Sequence, residues 1–79
     1  MTEDQARVVK WLGRHESPMT IAEIAEGLGR KPSSVKNNLV TLRTWGDVAP
    51  SGWMGNARCY EPTNRGEQHA NDVLRRQTP

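Results

Sequence analysis

Apolar residues recur at helical spacing three times along this chain, and then the pattern changes. Val8, Val9, Trp11 and Leu12 share one side of a first segment. Thr2 is placed to cap it, and Gln5 three residues later completes a capping box. Glu3 and Asp4 suit the positive end of a helix dipole. These features predict a helix running to about Arg14, with Gly13 weakening its last turn. His15-Glu16-Ser17-Pro18 reads as a connector, because proline disfavours helix in the residue before it. Thr20 with Glu23 makes a second capping box, and Ile21, Ile24, Ala25 and Leu28 fall at i, i+3, i+4 and i+7. Gly27 and Gly29 are expected to end this second helix. Pro18-Met19-Thr20 is a candidate short strand ahead of it.

Pro32 stands at the first turn of a third helix, where its missing N–H costs nothing. Val35, Leu39 and Leu42 repeat at i, i+4 and i+7, Trp45 flanks that stripe, and Gly46 is the expected stop. At about 100° per residue, the opposite side of this helix carries Ser33, Asn37, Val40, Thr41 and Thr44, with Ser34 and Lys36 at its margins. Beyond Asp47 the helical spacing is lost. Val48-Ala49 and Arg58-Cys59-Tyr60 read as short strands joined through Gly55-Asn56, a two-residue hairpin signal. Pro50 makes the first strand an edge or an interrupted one, and Pro62 ends the second. Thr63 can cap a last helix from about Asn64 to Arg76, with Ala70, Val73 and Leu74 as its narrow apolar stripe. Gln77-Thr78-Pro79 is expected to fray.

The predicted order is therefore α, (β), α, α, β-hairpin, α, a mainly α fold with a small β-hairpin, α+β in class. Seventy-nine residues suit a single domain, 1–79, with a compact core. Phe is absent, so the three Trp and one Tyr are expected to supply most of the core's bulk. One Cys excludes an internal disulfide. Neither end carries the long apolar run of a signal peptide or a membrane span. The expectation is a soluble, cytoplasmic protein, nucleoid-associated if bacterial, with no membrane partner.

The net charge of +2 says little, but its distribution says more. From Arg30 to Arg58 the chain holds five basic residues, Arg30, Lys31, Lys36, Arg43 and Arg58, against one acid, Asp47. Elsewhere six basic residues face eight acidic ones. A polyanion is the natural partner for the basic stretch. In residues 20–46, Ala25, Gly29 and Val35 take the places of a small residue where two helices touch, a turn residue and a core anchor. That is the arrangement of a helix-turn-helix, and the polar face of the helix from about 32 to 45 has the chemistry to read base edges in a major groove.

The order of elements resembles a winged helix-turn-helix domain over most of the chain, and its form is similar to the DNA-binding part of MarR-type transcriptional regulators. Their recognition segment ends in a Leu and then a Gly that leads into the wing, matched here by Leu42 and Gly46. Their wing returns through a Tyr to a Thr-x-x-Gly helix opening, matched by Tyr60-Glu61-Pro62-Thr63-Asn64-Arg65-Gly66. The resemblance implies a three-helix core, a wing at about 47–62 and a C-terminal helix at about 63–76. Departures are Lys31, where Ser or Asp is common before the recognition helix, and Asp47, where an apolar residue is usual. MarR-type proteins also carry long terminal helices that form their dimer and ligand pocket. This chain has one short helix at each end, so the resemblance carries DNA binding rather than small-molecule sensing.

In that arrangement Asn37 can make a bidentate contact to adenine, worth roughly 1–3 kcal/mol of discrimination. Ser33, Ser34, Thr41 and Thr44 can bond bases or phosphates. Lys36 can reach guanine or a phosphate, and Val40 a thymine methyl. Arg30 and Lys31 are candidate phosphate contacts, as is the helix N-terminus at Thr20. By resemblance, Arg58 would enter the adjacent minor groove. Asn38 flanks the core stripe and is satisfied by neighbouring backbone or faces DNA. For Trp53 and Met54, packing against the domain comes first, then a protein-contact surface, then a wedge between base steps. Trp11 and Trp45 are expected in the core, and Cys59 as a half-buried strand residue. Cys59, His15 and His69 lack metal-ligand spacing, so no cofactor, metal or enzyme activity is expected. The reading is a small bacterial or phage-type transcription factor for double-stranded DNA. Its candidate homodimer contact is the terminal helices, through Val9, Val73 and Leu74. A protein-interaction module and an architectural or excisionase-like DNA binder are the alternatives.

Overall fold

Local capping sets the helix starts in the computed structural model, which describes residues 1–15 and 17–76. The elements are α1 Glu3–Gly13, β1 Met19–Thr20, α2 Ile21–Leu28, α3 Pro32–Thr44, β2 Val48–Met54, β3 Ala57–Pro62 and α4 Asn64–Arg76. Thr2 Oγ1 accepts from the Gln5 N–H at 3.2 Å, while Gln5 Oε1 accepts from the Thr2 N–H at 2.9 Å. Thr20 and Glu23 repeat the reciprocal pair at 3.2 and 3.0 Å. Both boxes match the sequence reading. The expected fraying of Gln77-Thr78-Pro79 lies outside the described residues.

The two central helices end in the same way. Gly29 adopts φ 66°, the Arg30 N–H donates to the Ala25 carbonyl at 3.0 Å, and the Gly29 N–H donates to Glu26 at 3.3 Å. Gly46 adopts φ 80°, the Asp47 N–H donates to Leu42 at 2.8 Å, and the Gly46 N–H donates to Arg43 at 3.0 Å. These are paired Schellman closures, which need a residue free of the Cβ penalty at positive φ. Gly27 does not end α2, contrary to expectation. It lies inside the helix, where a Cβ would overlap the Trp11 ring, so it lets α1 and α2 approach.

The sheet is antiparallel in the order β1-β3-β2. Met19 and Thr20 pair with Tyr60 and Cys59, so the candidate strand before α2 is real. β2 is an edge strand, which tolerates Pro50. Both hairpin strands extend past the expected ranges. Pro50 pairs with Tyr60 and Trp53 with Arg58, so two residues of β2, Ser51 and Gly52, oppose Cys59 alone. That bulge breaks the alternation by which a longer strand would be read.

The core is aliphatic. Leu12, Ile24, Leu39 and Leu42 are the largest fully buried side chains, joined by Val8, Val9, Val35 and Val48. The Trp residues do not fill it. Trp11 is half-buried at its edge and Trp45, which caps α3, is 43% exposed. Ala6, Ala25 and Ala70 belong to the buried cluster, and Trp11 packs against it from its margin. Cys59 is buried rather than half-buried, on the central strand. Val9 is likewise fully buried, so it serves the core and not a subunit contact; Val73 and Leu74 are partly buried against the same core.

α4 is fastened to the junction of α3 and β2. The Thr63 hydroxyl donates to the Gly46 carbonyl at 2.7 Å and accepts from the Gly66 N–H at 3.0 Å. A Cβ at Gly66 would overlap the Asp47 carbonyl oxygen, which gives the Thr63-x-x-Gly66 pattern its physical meaning. Asp47 itself is 1% exposed, and among the described residues neither carboxylate oxygen has a hydrogen-bond partner. Arg65 Nε at 3.8 Å and His69 Nδ1 at 3.7 Å are the groups that face it.

Candidate nucleic-acid interface

Burial of Val35, Leu39 and Leu42 fixes the rotation of α3 and so decides what its other side presents. Ser33, Ser34, Lys36, Asn37, Val40 and Thr44 are exposed, and Thr41 is half-exposed. Val40 is 58% exposed on this otherwise polar side. Because Asp47 is buried, every charge that the stretch from Arg30 to Arg58 shows to solvent is positive. Ser34 also turns toward a small cleft shared with Arg7, Leu28, Arg30 and Asn38, between α1, α2 and α3. Asn38 is half-buried there.

The two threonines are less free than their positions suggest. The Thr41 hydroxyl donates to the Asn37 carbonyl at 3.2 Å and the Thr44 hydroxyl to the Val40 carbonyl at 2.9 Å. Each proton is spent on the helix backbone, so both residues face outward as acceptors only. Arg43 was not among the expected contacts. It is exposed one turn beyond Val40 and two beyond Lys36, on the edge of α3 that faces the hairpin. Its seven-residue spacing from Lys36 is the signal that would have found it. Val40, Arg43 and Thr44 line a cleft of about 330 Å³ with Tyr60 of β3.

The expected phosphate contacts divide. Lys31 is exposed at the N-cap of α3 and makes no side-chain cap bond. Arg30 instead donates to Asp4 of α1 at 2.8 Å, an exposed pair of the kind that costs little to exchange. Thr20 is only 5% exposed, and its hydroxyl and N–H are both engaged by Glu23. The Glu23 carboxylate takes up the polar groups of Thr20 itself, which leaves that side chain no free donor for a phosphate. Thr20 is a structural cap.

The hairpin turn places Gly55 at φ 62° with no positive φ at Asn56, the pattern of a type II′ turn. Trp53 and Met54 at its tip are 61% and 58% exposed, which removes packing against the domain as their role. Arg58 is half-buried, its guanidinium carbon 4.2 Å from the Trp53 ring centroid.

Three helices, a strand paired across to the hairpin, and the exposed helix beside that hairpin define the winged helix-turn-helix class, the DNA-binding fold of transcription regulators. The model of the IclR helix-turn-helix domain matches residues 6–50. The chain belongs to this family. No curated protein matches the sequence. Among solved structures, the chain is similar to MepR of Staphylococcus aureus, a transcription regulator of the multidrug efflux pump MepA. The TM-score is 0.76 at 20% identity, over 89% of this chain and 53% of that one. The YusO protein of Bacillus subtilis gives 0.78 at 25% identity, over 89% and 50%. A complex of the S. aureus MepR with DNA gives 0.79 at 18% identity, over 98% and 67%. These neighbours are winged-helix regulators of the MarR type, and the chain spans about half the length of the first of them. No helix among the described residues is long and apolar enough to cross a membrane.

Proposed function

We propose that this chain is the sequence-specific DNA-binding module of a transcription regulator, with α3 in the major groove. The observation that supports it most is the exposed side of α3: Ser33, Lys36, Asn37, Val40 and Arg43 project from a helix locked by its buried stripe, in a stretch whose exposed charge is all positive. Asn37 reads adenine, Lys36 and Arg43 reach guanine or phosphate, and Val40 meets a thymine methyl. Lys31 holds phosphate, and Arg30 joins it once it leaves Asp4. The module works without catalysis, in the cytoplasm beside its DNA. A two-fold homodimer would place two α3 helices on half-sites one helical turn apart and raise a modest single-module affinity. Its contact includes Val73 and Leu74, without Val9.

Fluorescence anisotropy on duplexes selected from a random pool, across a salt series, tests this. Asn37→Ala should relax the preference at one base pair, by roughly 1–3 kcal/mol. Lys31→Ala should weaken all duplexes alike and lower the salt slope by about 1. If both variants keep the parent's preference and slope, the docking of α3 is wrong.

A further inference from the structure

The hairpin tip holds an exposed indole with a cation stacked on its face. Trp53 and Arg58 are direct cross-strand partners, and the guanidinium carbon sits 4.2 Å from the indole centroid, a cation–π stack. The bulge sets which way this stack faces. Along a regular strand, positions 50 and 53 point to opposite sides of the sheet. The extra residue at Ser51–Gly52 returns Trp53 to the side shared by Pro50, Tyr60 and Arg58. Tyr60 lines the cleft with Val40, Arg43 and Thr44. The stack therefore stands on the face of the wing that fronts the exposed edge of α3.

We propose that Trp53 and Arg58 act as one DNA-contacting unit. The indole holds the guanidinium in a single orientation and presents it to the groove beside the one α3 enters, while its free edge packs on sugar and base edges with Met54. This rests on the DNA-binding reading above. Charge favours DNA over a protein as the occupant, because the exposed charge from Arg30 to Arg58 is wholly positive and the cation lies on the indole itself. A stacked Arg also gives up less rotamer freedom on binding than a free one. Trp53 is thus both a contact and the positioning residue of Arg58.

The test is a double-mutant cycle by anisotropy on a duplex that the parent prefers, with the whole chain. Trp53→Ala and Arg58→Ala should each weaken binding about tenfold, the scale of one well-placed side-chain contact in a groove. The double variant should lose little more than Trp53→Ala alone, because removing the indole already takes Arg58 out of position. Trp53→Phe, which keeps a ring face, should recover most of the affinity. Tm should stay within a few degrees of the parent's in every variant, which separates the unit from a merely structural role. If Trp53→Ala binds like the parent, or the two losses multiply, the inference is overturned; an unchanged affinity would leave the tip as a protein contact. If the parent itself binds no duplex in a salt-dependent way, the DNA-binding reading falls and this inference with it.

Discussion

The exposed side of α3 and the tip of the wing both project side chains into solvent, by opposite means. α3 is regular. Its buried stripe fixes the rotation, and a polar side follows as a geometric consequence. The wing tip is irregular. A bulge, Gly52 at φ 78° and Gly55 at φ 62° aim an aromatic residue that the core does not hold. In α3 the exposed side follows from a structural repeat, so changes to the core and to the exposed side can be separated. In the wing, backbone exceptions themselves do the aiming, so conformation and contact are changed together.

The largest effect expected from this contrast is on stability. Leu42→Ala empties a fully buried site and should cost about 3 kcal/mol, read as a lower urea midpoint at unchanged slope. Trp53→Ala should stay within about 0.5 kcal/mol of the parent in the same experiment. Equal losses would mean that the wing tip is part of the core after all. Next comes the bulge. Gly52→Ala forces a Cβ into left-handed backbone and should cost about 1 kcal/mol. Hydrogen exchange should then quicken in β2 and β3 while α3 keeps its protection; uniform quickening would contradict the separation of the two regions. The smallest effect concerns the helix flank. Asp4→Asn releases Arg30 and should tighten duplex binding about twofold, the scale of an exposed ion pair. The salt slope should steepen as one more cation engages. An unchanged slope would show that Arg30 takes no part.

What could be read in the sequence follows the same division. Both capping boxes, the stop at Gly46 and the edge position of Pro50 are visible because each depends on residues a few positions apart. The exposed side of α3 is visible because periodicity reports burial. The pairing of Arg30 with Asp4 links positions far apart in the chain, and nothing local announces it. The sequence makes the Thr41 and Thr44 hydroxyls candidates for DNA, since residue type does not tell where a proton is spent. Trp45 was expected inside because it is large and apolar, yet it falls on the helix cap, beyond the packed stripe. The length of β2 is hidden by the bulge, which breaks the alternation of the strand. In the sequence Arg43 reads as charge alone, because its place depends on the wing that lies across from it.

Amide and indole ¹⁵N chemical shifts, followed through a titration with a preferred duplex, test the joint engagement of these two regions most directly. The expected result is a set of shifts from Ser33 to Thr44 together with the Trp53 indole and Arg58, with Trp11 on α1 unmoved. Shifts confined to α1 and α4, with α3 and the wing silent, would contradict it.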